Sequence, residues 1–173
     1  RYRSLKSLAY LHPTRFALDR RDSRILGVPE SRRVFVLRRS AYSASHDRGR
    51  NGIDDDLARE IVRVLSTQGI VYISSEDNRQ DDLATTRALS RRPELLHHLL
   101  AVASLVVTDG ASVAEESVVL GTFALFISDF AQERSYLSRI EDSYGGLQQY
   151  RPTKRNEWLE QLRHLLDDIA DVE

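Results

Sequence analysis

Four short apolar runs dominate the chain: Val34–Leu37, Ile70–Ile73, Leu105–Thr108 and Phe123–Ile127. Each is rich in β-branched or aromatic side chains and shows no polar alternation, the pattern of a strand buried on both faces, as in a parallel sheet. Amphipathic stretches lie between them. Asp54, Asp55 and Asp56 precede a stripe of Leu57, Ile61, Val64 and Leu65, and Gly69 follows where a left-handed cap would end the helix. Further helices are expected from Pro93 through Leu100, from Ser112 to Leu120 with Gly121 after it, from Ala131 to about Asp142 before Gly145 and Gly146, and within residues 154–172. Strand and helix alternating in this way imply βαβ crossovers. The expected fold is a Rossmann-like three-layer α/β/α domain with a mainly parallel sheet.

At 173 residues the chain suits one such domain, spanning 1–173, with 1–30 as a less regular entry segment. The absence of cysteine excludes a disulfide framework, thiolate metal ligation and a cysteine nucleophile. Twenty-five basic residues nearly cancel 26 acidic ones, so the overall field does not favour nucleic acid as the partner. All but Lys6 and Lys154 of those basic residues are arginine, which is mostly compositional bias, although a few guanidiniums could read phosphates bidentately. No apolar run approaches the roughly 18 residues that span a bilayer, and a cytoplasmic location is expected. Because the chain opens at Arg1 rather than Met, a processed product or a piece of a longer polypeptide is expected.

Ligands of open α/β sheets bind beyond the carboxyl ends of the strands, which directs the search to the loops after Leu37, Ile73, Thr108 and Ile127. After Thr108 come Asp109, Gly110, Ala111 and Ser112, then a helix containing Glu115 and Glu116. Small residues at a helix start let an anion approach unpaired N–H groups at the positive dipole end, and a glutamate farther along can accept hydrogen bonds from two vicinal ribose hydroxyls. Local spacing alone favours more ordinary chemistry, an Asp-Gly turn with Ser112 as N-cap and acidic residues complementing the dipole. The long connection from Arg38 to Ile53 carries Arg38, Arg39, Ser43, Ser45, His46, Arg48 and Arg50, donors suited to a pyrophosphate or a sugar, whereas Arg48 and Arg50 read as solvated. Ser74, Ser75 and Glu76 end the second run at the same edge, where turn chemistry is the simpler reading. His97 and His98 project about 100° apart on a helix and cannot form an i, i+4 metal pair, so no metal site is expected. Nor does any Ser, His and Asp spacing support a hydrolase triad.

The segment TDGASVAEESVVLGTFALFI, Thr108 to Ile127, resembles the donor-nucleotide signature in the C-terminal domain of UDP-N-acetylglucosamine 2-epimerases and other GT-B-type nucleotide-sugar enzymes. That resemblance implies that Gly110, Ala111 and Ser112 bind the diphosphate and that Glu116 holds the ribose; a guanidinium of the connection after the first run, such as Arg39, is expected to neutralise the diphosphate. The epimerases carry Ser-Gly-Gly where this chain has Gly-Ala-Ser, and Pro where it has Phe123, so epimerisation itself is not implied. AYLHPTRF, YSASHDRGRNG, VYISSED and TDGAS together resemble, in motif and order, the C-terminal half of an uncharacterised archaeal and bacterial GT-B-like family. By this second resemblance Ser45, His46 and Asp47 gain interest; with Arg38 and Ser75, which stand at the same sheet edge, Ser45 and His46 are expected phosphate or sugar contacts. The implied function is the UDP-sugar-binding half of a glycosyltransferase or epimerase-like enzyme. Its partners would be the nucleotide sugar as substrate, with no separate cofactor, an N-terminal Rossmann-like domain and, in one arrangement, a second copy in a homodimer. The alternative is a non-catalytic sugar-binding or assembly module of the same fold.

Overall fold

A computed structural model of the chain describes residues 5–18, 32–41, 51–75, 86–88, 93–133 and 136–171. The described residues form strands β1 (Val34–Arg39), β2 (Ile70–Ser75), β3 (Thr86–Ala88), β4 (Leu105–Thr108), β5 (Ala124–Ile127) and β6 (Leu147–Tyr150). They make one sheet in the order β3-β2-β1-β4-β5-β6, and every neighbouring pair is parallel. The helices among the described residues are α1 (Leu8–Leu11), α2 (Asp55–Leu65), α3 (Leu96–Val102, entered through a 3-10 turn at Pro93–Leu95), α4 (Ala111–Val119), α5 (Tyr136–Tyr144) and α6 (Arg155–Asp171). This is the expected Rossmann-like α/β/α architecture.

Alternation along the strands assigns the layers. Phe35, Leu37, Val71, Ile73, Leu105, Val107, Leu125 and Ile127 pack against α2 and α6, with Trp158 fully buried among them. On the opposite face, Val34, Val36, Tyr72 and Val106 meet α3 and Val113, while Ala124 and Phe126 meet Ala114 and α5. Each fully buried aliphatic or aromatic side chain stabilises the fold by about 1.5–3 kcal/mol relative to exposure, which is why the continuous apolar runs become the central strands.

Two strands lie outside those runs. In β6, buried Leu147 and Gln149 alternate with half-buried Gln148 and Tyr150, the pattern of an edge strand with one covered face. β3 is three residues long and forms the other edge.

The helix ends are made locally. Asp54 accepts a hydrogen bond from the Leu57 N–H at 2.8 Å, and Asp55 and Asp56 stand in the first turn of α2, where the dipole favours negative charge. Gly121 and Gly145 take left-handed φ values of 87° and 66° after α4 and α5. Gly69 does not act as the left-handed cap expected of it. It is required by close approach, since a Cβ there would stand 2.5 Å from the Arg33 carbonyl oxygen and 2.7 Å from the Phe35 ring, where the β1–β2 ladder begins.

Gly69→Ala is therefore expected to destabilise the domain by about 1–3 kcal/mol through forced displacement of backbone. Thermal unfolding followed by circular dichroism should show a midpoint lowered by roughly 3–10 °C. An unchanged midpoint would mean the strand pair has slack at that point.

Candidate functional site

Strand order reverses between β1 and β4, so the crevice outside their carboxyl ends is the topological switch point of the sheet. Asp109 stands there, 5% exposed. Its Oδ1 accepts the Ser40 N–H at 2.6 Å and its Oδ2 accepts the Ile53 N–H at 2.9 Å. Ser40 and Ile53 flank the long β1–α2 connection, so one carboxyl group holds both its ends to the turn after β4. Asn51 is fastened to the loop after β5: its N–H donates to Asp129 Oδ2 at 2.8 Å, and the Asp129 N–H donates to the Asn51 carbonyl at 2.9 Å. Burial pushes the Asp109 carboxyl up to about 6, against the pull of the Ile53 and Ser40 donors and of the Arg39 guanidinium.

α4 starts directly after this turn. Its N-cap is Gly110, which offers no side-chain cap, and Ser112 is exposed in the first turn rather than serving as the cap. Gly110 lies tight against β1, since a Cβ on it would stand 3.0 Å from Ser40 Oγ. The positive end of the α4 dipole thus opens onto the crevice through Gly110, Ala111 and Ser112, which the fold brings together as a small-residue helix start.

Farther along α4, Glu116 is 9% exposed. The Tyr10 hydroxyl donates to its Oε1 at 2.6 Å, and His97 Nε2 lies 3.4 Å from its Oε2. Burial alone would raise the Glu116 carboxyl, but His97, Tyr10 and the positive charge of Arg38 outweigh it and hold the group below the usual carboxylate range. The neighbouring Glu115 accepts the Ser7 N–H at 2.9 Å and the Ser7 hydroxyl at 2.7 Å. Burial, followed by the two glutamates, pushes the Tyr10 phenol far above its ordinary value, and the same influences lift Tyr136 to about 12.

The two arginines at the end of β1 part company. Arg38 points to the α3–α4 face, where its Nη1 donates to Ser74 Oγ at 2.7 Å and its charge is felt by Glu116. Arg39, expected at the diphosphate, points to the opposite face and is 3% exposed. There its Nε donates to the Ile53 carbonyl at 3.0 Å and its Nη2 pairs with Asp55 at 2.7 Å. Ser75 is paired in register with Arg39 and follows it to that side. Ser43, Ser45, His46, Asp47, Arg48 and Arg50 lie outside the described residues.

Tyr10, Ser7 and His97 were not expected at this site. They join α4 from distant parts of the chain, and the only local sign was the adjacent histidine pair. That pair divides as helical spacing requires: His97 faces Glu116, and the His98 ring packs 5.0 Å from that of Phe16. Among the described residues, no group of three or more His, Asp or Glu is placed to hold a metal ion, and no helix is long and apolar enough to cross a membrane.

No family model and no curated protein matches the chain. Among solved structures it is similar to a Listeria monocytogenes protein assigned as a UDP-N-acetylglucosamine 2-epimerase, at 18% identity and a TM-score of 0.54, over 86% of this chain and 42% of that one. It is also similar to E. coli ADP-heptose lipopolysaccharide heptosyltransferase II, at 11% identity and a TM-score of 0.47, over 62% of this chain and 36% of that one. A variant of the wall teichoic acid polymerase TagF matches at 16% identity and a TM-score of 0.47, over 96% of this chain and 43% of that one. The chain therefore spans less than half the length of each. At these identities the first likeness shows the fold, and with it the fold relation to the epimerases that the Thr108–Ile127 segment implies.

The geometry of Asp109 fixes a sign for the pH dependence of stability. Its carboxyl releases a proton near 3.8 when unfolded and near 6 when folded, so between those values the folded chain binds more protons. The stabilisation is complete below pH 3.8, declines through the window and is gone above about pH 6, a total of about 3 kcal/mol for this group. Asp109→Asn should flatten that slope in urea unfolding measured from pH 4 to 7. It should also cost about 1–3 kcal/mol, because one backbone donor then faces an amide N–H2. A slope unchanged in the variant would show that Asp109 is not its source.

Proposed function

We propose that the crevice between β1 and β4 binds a nucleotide sugar, of the UDP-sugar class, as the nucleotide half of a glycosyltransferase- or epimerase-like enzyme. One observation carries this reading: a buried glutamate held as a carboxylate stands on the same helix whose uncapped start opens at the switch point. From Ala111 to Glu116 the helix advances about 7.5 Å, the order of the separation between the diphosphate and the ribose hydroxyls of a nucleotide. The helix start at Gly110, Ala111 and Ser112 would receive the diphosphate, and Glu116 the ribose.

In this reading Arg38 is the guanidinium of the site, because it shares a face with Glu116, whereas Arg39 secures the start of α2. The contribution to chemistry is electrostatic: the α4 dipole and Arg38 stabilise the negative charge that grows on the diphosphate as the bond to the sugar breaks. The chain spans 42% of the Listeria protein, and a further domain closing over the sugar belongs to the proposal. The second reading, a binding module without catalysis, is favoured by a different observation, that both Glu116 oxygens already have partners within the chain.

Calorimetric titration with UDP and UDP-N-acetylglucosamine tests the proposal. The wild-type chain should bind with Kd of about 1 μM to 1 mM, and Glu116→Ala should bind at least tenfold more weakly, about the loss of one charge-assisted hydrogen bond. No binding by the wild type would overturn the nucleotide reading, and equal binding by the variant would overturn the ribose assignment.

A further inference from the structure

The α1 segment is held to α4 at two points that differ in kind. Ser7, 1% exposed, gives both its N–H and its hydroxyl to Glu115, and Leu11, 3% exposed, is buried in the same segment. These contacts fix the backbone of α1 without help from Tyr10. Tyr10 is 46% exposed, and among the described residues its side chain makes one hydrogen bond, from its hydroxyl to Glu116 Oε1 at 2.6 Å. Its ring lies 5.7 Å from that of His97, tilted by 41° rather than stacked. Rotation about the Tyr10 side-chain bonds would therefore release Glu116 Oε1 and leave the Ser7 and Leu11 anchors in place.

A phenol donating to a carboxylate is chemically the same contact as a ribose hydroxyl donating to it, a charge-assisted O–H···O⁻ bond. We propose that Tyr10 is an intramolecular occupant of the diol position of Glu116, a gate that a nucleotide's ribose must displace before it can be held. This inference rests on the ribose role proposed above for Glu116. The groups facing Glu116 support it: His97 stays on Oε2 and Arg38 stays nearby, so the carboxylate remains charged whichever hydroxyl occupies Oε1. The cost of the gate is set by population, since the apparent affinity falls by the fraction of molecules in which Tyr10 has swung away.

The test is UDP titration into the 173-residue chain as wild type, Tyr10→Phe and Glu116→Ala, with the Tyr10 ring resonances followed by NMR in the wild type. Phenylalanine keeps the ring against His97 and removes only the competing donor. Tyr10→Phe should bind UDP about tenfold more tightly than the wild type, and the wild-type Tyr10 resonances should move with the same midpoint as binding. Equal or weaker binding by Tyr10→Phe, with binding lost in Glu116→Ala, would overturn the gate and leave the ribose assignment standing. Tyr10 resonances unmoved at saturating UDP would overturn it independently of how well the variant folds. Binding by Glu116→Ala equal to that of the wild type would overturn the ribose assignment and the gate together.

Discussion

The carboxyl group of Asp109 is the constraint on which the crevice depends. Burying a carboxylate at the end of a central strand is costly, and its raised pKa shows that the cost is only partly offset by the two backbone donors it receives. In return, one side chain joins three parts of the chain that the strand order alone would leave independent: the end of β1, the approach to α2 and the turn into α4. Arg39 reinforces the same point from the other face by holding the Ile53 carbonyl while Asp109 holds the Ile53 N–H. Both polar groups of that peptide position are satisfied by buried charged side chains. The β1–α2 connection thus leaves and rejoins the sheet edge at fixed places.

Against this rigid base, the second polar cluster is differently built. Glu115 and Glu116 are consecutive on α4 and project about 100° apart, yet both turn toward the α1 segment because Ser7 and Tyr10 are three residues apart on one side of its single turn. The Glu115 contact is buried at both ends, with 4% exposure at the glutamate and 1% at the serine, so breaking it would strand a charge away from water. The Glu116 contact ends in a side chain open to solvent on one flank. The α1 segment is anchored by the first and only touched by the second.

The central strands were legible because burial on both faces imposes continuous apolar sequence, as in Val34–Leu37 and Leu105–Thr108. The edge strands were not, because one covered face allows Leu147-Gln-Gln-Tyr150 to look like a loop and leaves β3 only three residues to show. A helix beginning among the small residues after Thr108 was legible, though it is capped at Gly110 rather than at Ser112 because the turn after β4 closes directly into it, and the role of Glu116 came from the resemblance rather than from local spacing. Alternation along β1 was equally readable and separates Arg38 from Arg39, but only the layer assignment of the helices says which side faces Glu116. Tyr10 and His97 could not be found this way. Their meeting with Glu116 depends on packing α1 and α3 against α4, and Tyr10 contacts a residue 106 positions away.

The protonation states at this edge limit what it can do. A general acid or base works best when its pKa lies near the operating pH. Glu116 is held below the usual carboxylate range and stays ionised, while Tyr10 and Tyr136 are pushed above theirs and keep their protons. Such groups accept and donate hydrogen bonds without exchanging protons. Asp109 does titrate near neutrality, but it is 5% exposed and its two oxygens are turned to the Ser40 and Ile53 backbone. The edge formed by α4, α1 and the end of β1, in the proposed reading, holds an anion and a pair of hydroxyls, a task that needs no proton exchange. In the proposed reading, any proton transfer at the sugar is assigned to groups beyond these four, and the work of this edge is to bind the nucleotide and stabilise the charge it acquires.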